Sequence, residues 1–184
     1  MSEIVGVVGA GTMGSGIAQE AARAGYEVVM RDVAQEFLLR GMTTIDKSLQ
    51  RGIDKQRLRR EDKRATMARI RTTTDIGVLK EAFIVIEAVT EDLPIKVEVF
   101  KSLDEVTRPE AVLASNTSSI SITKLAAATR RPDKVIGMHF SNPVPVMKLV
   151  EIIRGMATSD DTHARVVALA EKLGKTPLEC QDSP

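Results

Sequence analysis

His139 opens the run HFSNPVPVMKLVE, which closes on Glu151; the chain has only one other histidine, His163. Imidazole changes charge near neutral pH, so it can take or give a proton at a reacting group. It does so well when a carboxylate fixes its tautomer and stabilises the cation that forms. Pro143 and Pro145 turn the chain, and MKLVEII reads as a strand running back, so Glu151 can reach the ring. On residue chemistry alone, a histidine beside a turn is more often structural. His163 falls in a charged stretch that reads as a helix surface.

A second pattern supplies chemistry that a proton-transfer group could serve. Gly9, Ala10, Gly11, Thr12, Met13 and Gly14 spell G-x-G-x-x-G between an apolar run and a helical one. The first glycine permits a tight turn, the second admits a pyrophosphate to the backbone, and the third lets helix and strand pack closely. Unpaired N–H groups at the helix start then face the phosphate charge. Asp32 ends the next apolar run, where a carboxylate accepts from the 2′-hydroxyl of an adenine ribose. A 2′-phosphate there would meet a like charge, at about 4 kcal/mol for contact at an effective dielectric near 20. NAD is therefore favoured over its phosphorylated form, although Arg31 next door could accommodate that phosphate.

These residues need a frame, and the apolar patterning predicts one. Strands are expected over Ile4–Val8, Glu27–Met30, Phe83–Ile86, Val112–Ala114, Lys134–Met138, Lys148–Ile153 and Pro177–Cys180. Helices are expected over GIAQEAARAG, from Pro94, over SITKLAAAT, and from Ser159 to Leu173. Ala34 to Arg71 reads as two basic helices broken near Gly52. Alternation of this kind implies parallel pairing with right-handed crossovers, an α/β doubly wound, Rossmann-type sheet with a helical hairpin inserted after the second strand.

Composition narrows the function classes. The 184 residues suit one packed domain, and 43% hydrophobic content with a net charge of +1 suits a soluble one. That balance gives no support to nucleic-acid binding. No apolar run approaches the roughly 20 residues that span a bilayer. The N-terminus lacks the features of a secretory signal. A single cysteine, Cys180, excludes an internal disulfide and a cysteine-cluster metal site, so a cytoplasmic, reducing setting is expected.

GAGTMGSGIA, EAVTED, ASNTSSISIT and HFSNPVPVMKLVE, followed by GKTPLECQDSP, resemble in this order the 3-hydroxyacyl-CoA dehydrogenases of fatty-acid β-oxidation. The resemblance covers nearly the whole chain. It implies that His139 takes the proton of a substrate 3-hydroxyl while hydride passes to NAD, and that Glu151 pairs with His139. It implies that Ser118, ahead of the neighbouring Ser119, contacts the substrate oxygen, and that Asn142 lies near nicotinamide and substrate. Glu91 and Lys96 match cofactor contacts, and Asn116 could join them. Ser48 and Lys55, in the basic hairpin, match contacts to coenzyme A.

The family pattern has a second phenylalanine where this chain has Ser141 after Phe140. It also continues, beyond the point reached at Pro184, into an all-helical domain that closes the cleft and forms a homodimer. Residues 1–184 are thus expected to be the NAD-binding domain of a larger enzyme. Two other readings remain at this stage: a 3-hydroxyacid dehydrogenase with a lysine base, and a non-catalytic, crystallin-like NAD-binding protein.

Overall fold

The computed structural model describes residues 3–182. Strand β1 (Ile4–Val8) leads through the glycine turn into helix α1 (Thr12–Arg23), and β2 (Glu27–Arg31) follows. Two helices, α2 (Gln35–Asp54) and α3 (Arg60–Ala68), precede β3 (Ile70–Thr73). Then come β4 (Ala82–Glu87), α4 (Leu93–Val106), β5 (Val112–Ser115), the five-residue α5 (Ile122–Ala126) and β6 (Val135–Phe140). The chain finishes with β7 (Leu149–Arg154), α6 (Asp160–Lys172) and β8 (Thr176–Gln181).

All eight strands share one sheet in the order β3-β2-β1-β4-β5-β6-β7-β8. β1 to β6 run parallel, and β1 and β4 are apolar along nearly their whole length because helices cover both faces. On one face Ile17 and Ala21 of α1, Leu38 and Ile45 of α2 and Val166 of α6 pack against β1, β4 and β6. On the other, Phe100 and Leu103 of α4 and Leu125 of α5 do the same. This is the doubly wound α/β architecture.

The sheet is mostly parallel, as the sequence implied, and the returning strand after the proline turn is its exception: β7 is antiparallel to β6, and β8 is parallel to β7. The link from β6 to β7, residues 141–148, is too short for a crossover, which needs a dozen residues or more, so the chain makes a hairpin. Three expectations from sequence, on residues 70–71, Gly52 and His163, need correction. Residues 70 and 71 are not helical: Ile70 is buried and starts β3 beside Val28 of β2. Gly52 does not break the first inserted helix. It lies within α2, where a Cβ would come 3.3 Å from Leu58, and the turn falls after it, at Lys55 to Arg59. His163 is not a solvated surface residue. Its side chain is 14% exposed, and Nε2 is buried without a hydrogen-bond partner among the described residues, 3.6 Å from the Glu179 carboxylate of β8. α6 covers β7 and β8, and His163 lies on the covered side.

Candidate active site

The sheet order reverses between β1 and β4, and in such sheets ligands settle in the crevice outside the strand ends at that point. The glycine turn lies there. Gly9 adopts φ +102°, and a Cβ on it would stand 2.5 Å from the Ala88 carbonyl. A Cβ on Gly14 would meet the Gly9 carbonyl at 1.8 Å, so only glycine lets α1 sit this close to the turn. Gly11 differs: nothing lies within 4 Å of where its Cβ would be. That open space faces the start of α1, whose first turn has no side-chain cap and no acidic residue. Uncapped amides with room above them fit a pyrophosphate. Thr12 is exposed beside them, while Met13 is half-buried against the core.

Asp32 follows β2 and holds the turn from the side. One carboxylate oxygen accepts the Ala10 N–H at 2.6 Å and the other the Val33 N–H at 2.6 Å. The residue is only half-buried, and a carboxylate has about four lone-pair sites, so capacity remains for a ribose hydroxyl.

The ends of β4 and β5 carry a denser network. Glu87 closes the apolar strand AFIVIE and is 0% exposed; Lys96 of α4 is 1% exposed. The Lys96 ammonium donates to Glu87 at 2.6 Å and to the Val89 carbonyl at 3.3 Å, with Glu91 at 3.4 Å. The Ser115 hydroxyl donates to the second Glu87 oxygen at 2.6 Å. Lys96, expected among the cofactor contacts, therefore has its charge spent inside the protein and reaches the crevice through Glu91. A single Glu91 oxygen accepts from the Thr117 hydroxyl, from the Ser118 N–H at 2.9 Å and from the Ser119 N–H at 3.2 Å. The hydroxyls of Ser118 and Ser119 both lie 3.3 Å from it. Burial alone would raise the Glu91 pKa, but the Thr117 hydroxyl, the Ser118 amide and Lys96 outweigh it and hold it at about 2. Glu91 thus organises the loop after β5. Asn116, in the same loop, accepts the Phe140 N–H at 2.9 Å and ties β5 to β6.

The antiparallel register sets the rest. His139 stands directly opposite Glu151 in the β6–β7 ladder, so both side chains leave the same face. His139 Nδ1 lies 2.6 Å from Glu151 Oε2. A carboxylate can only accept, so Nδ1 carries the proton, and in the neutral ring Nε2 has the free lone pair. Nε2 has no hydrogen-bond partner among the described residues. The pair lines a cleft of about 200 Å³ with Thr117, Ser118, Ser119 and Cys180.

A larger groove, about 530 Å³, lies between α1, α2 and the β6–β7 loop. Ser48, Lys55, Arg57 and Asn142 line it, over an apolar floor that includes Leu49 and Val144. Ser48, Lys55 and Asn142 are thus gathered around one groove, and His139, Glu151 and Ser118 around the other cleft. Sequence reasoning passed over Glu87 and Thr117. An acid ending an otherwise apolar strand was the available signal for Glu87.

A doubly wound sheet with a glycine turn at its switch point and an acid closing the second strand defines a dinucleotide-binding domain of the dehydrogenase class. The family model for the 3-hydroxyacyl-CoA dehydrogenase, NAD binding domain, matches residues 4–183, and the chain belongs to that family. It is 52% identical over 179 residues to a probable 3-hydroxybutyryl-CoA dehydrogenase of Deinococcus radiodurans, covering 97% of this chain and 64% of that one. It is 43% identical over 178 residues to a 3-hydroxybutyryl-CoA dehydrogenase of Clostridioides difficile, covering 97% and 63%. The crystal structure of (S)-3-hydroxybutyryl-CoA dehydrogenase from Ralstonia eutropha superposes with a TM-score of 0.98 at 52% identity, over 100% of this chain and 65% of that one. The chain spans a little under two thirds of the length of these relatives.

Proposed function

We propose that the chain is the cofactor-binding and proton-transfer part of an NAD-dependent dehydrogenase acting between the 3-hydroxyl and 3-keto groups of an acyl-CoA. Gly9 to Gly14 and the start of α1 would hold the pyrophosphate of NAD, and Asp32 the adenine ribose. Glu91 and Asn116 would contact the cofactor, with Lys96 acting behind Glu91, and Asn142, at the rim of the larger groove, would stand between nicotinamide and substrate. NAD, when bound, supplies the acceptor for the hydride leaving the substrate C3. The protein handles the proton. His139 Nε2 takes it from the 3-hydroxyl, Nδ1 stays bonded to Glu151, and the carboxylate stabilises the imidazolium. Ser118 donates to the same substrate oxygen, with Ser119 beside it. Ser48 and Lys55, with Arg57 near them, suit the polar and phosphate end of coenzyme A, and the apolar groove floor suits its thioester arm.

The observation that carries this reading is the 2.6 Å His139–Glu151 contact in a cleft shared with Ser118. A lysine base gains no support, since no lysine is among the described residues lining that cleft. The greater length of the relatives supports placing residues 1–184 as the NAD-binding domain of a longer polypeptide, whose remaining domain would make a homodimer. Among the described residues no helix is long and apolar enough to cross a membrane; the cytoplasmic setting we propose rests on the single cysteine, Cys180.

Mixing the full-length polypeptide with NADH and acetoacetyl-CoA should consume nicotinamide absorbance. Free acetoacetate and NADPH should each serve at least tenfold more poorly. Absence of oxidation with acetoacetyl-CoA would end the proposal.

A further inference from the structure

The loop between β6 and β7 is held by a buried cation that proton transfer does not use. Lys175 sits between α6 and β8 with its side chain 4% exposed. Its ammonium donates to the carbonyls of Val144 and, at 2.9 Å, Met147. Glu20 of α1 faces it at 3.8 Å, yet that carboxylate is held more closely by Arg23, at 2.9 Å. Burial pulls the Lys175 pKa below the usual lysine range; Glu20 opposes the shift and Arg23 adds to it. An ammonium with so distant a counter-charge is costly to bury, so what it holds matters.

It holds the loop. The Val146 and Met147 amides both turn back to the Pro143 carbonyl, which leaves the carbonyls of Val144 and Met147 to Lys175. The Thr176 N–H adds a bond to the Lys148 carbonyl at 2.7 Å. Val144 also presses on α1, where a Cβ on Gly16 would come 2.8 Å from its own. The loop is thereby clamped between α1 and the start of β8. His139 and Glu151 form the second rung of the ladder from this loop, with only Phe140 and Val150 between.

We infer that Lys175 is a positioning residue: through the Val144 and Met147 carbonyls it fixes residues 141–148 and so keeps Glu151 bonded to His139. The inference deepens the proposed function and rests on it for its catalytic meaning, but its geometry is readable without turnover.

The test is Lys175→Met, which removes the donors while keeping a long unbranched side chain, read by ¹⁵N NMR of the histidine rings. Wild type should show a protected His139 Nδ1 proton. In the variant that signal should be lost or broadened, while the affinity for ADP-ribose, which lacks the nicotinamide and is followed by calorimetry, stays within about twofold because the glycine turn and Asp32 keep their own contacts. Retention of the His139 signal overturns the inference, and so does a matching loss of ADP-ribose affinity, which would mean general loosening. If the variant does not fold, wild type is titrated with low urea. Exchange of the Lys175 ammonium and the His139 Nδ1 proton as one unit supports the inference, and exchange at clearly different urea concentrations overturns it. Lack of activity toward acetoacetyl-CoA would remove the proposed function without altering either NMR result.

Discussion

Gly11 and Gly14 sit three residues apart in one turn, and alanine at each should fail in a different way. At Gly14 the new Cβ would lie 1.8 Å from the Gly9 carbonyl, about 1.2 Å short of the 3.0 Å that real contacts respect. The obstacle is backbone, which cannot rotate aside, so α1 must move away from the turn. Overpacking of this kind costs about 1–3 kcal/mol. Alanine returns about 0.5–1 kcal/mol of helix propensity, which is too little to reverse the sign. With roughly 2–4 °C per kcal/mol for a domain of this size, Tm should fall by several degrees in Gly14→Ala. Gly11→Ala meets no atom and has an ordinary negative φ, so only N-cap preference changes, at about 1 kcal/mol or less. Its methyl group, however, enters the space assigned to the pyrophosphate. NADH affinity should therefore fall at least tenfold in both variants, with the larger loss of Tm confined to Gly14→Ala. Circular-dichroism melts and NADH fluorescence titrations measure the two quantities. Wild-type NADH affinity in Gly11→Ala would refute the placement of the cofactor, and an unchanged Tm in Gly14→Ala would refute the packing argument.

Lys96→Met leaves Glu87 buried without its cation and should destabilise the chain by about 3–5 kcal/mol in urea unfolding. A loss below 1 kcal/mol would show that the pair does not organise the strand ends. Glu91 is held below its ordinary pKa, so its contribution is present above about pH 4.5 and is lost as pH falls toward about 2. The stability difference between wild type and Glu91→Gln should accordingly be flat above pH 5 and shrink below it. A difference that grows on acidification would contradict the assignment. Ser48→Ala with Lys55→Ala should weaken coenzyme A binding in calorimetry, more at low salt than at high, and leave NADH binding within twofold.

Much of the frame was legible because each local signal had one physical reading. IVGVV followed by GAGTMG can only end a strand at a tight turn, and Asp32 closes the next apolar run. Proline turns between HF and KLVE put His139 and Glu151 in one hairpin, and the strand period of two then sends both side chains to one face. What stayed hidden was tertiary. Lys96 reads as a cofactor contact or a solvated helix charge until α4 is laid over β4, which buries it against Glu87. Ile70 reads as the end of a helix until the edge of β2 offers it a ladder. Lys175 looks like a surface lysine after Gly174, because the two carbonyls it serves lie about thirty residues earlier in the chain.

Proton transfer by His139, held by Glu151, is the step on which the proposed function rests. It is tested most directly by steady-state oxidation of NADH with acetoacetyl-CoA in the full-length polypeptide, comparing wild type with His139→Ala and Glu151→Gln. His139→Ala should lower kcat by about 10²–10⁴ with NADH binding intact, and Glu151→Gln should lower kcat in the same direction. A kcat for His139→Ala within tenfold of wild type would contradict proton transfer by His139.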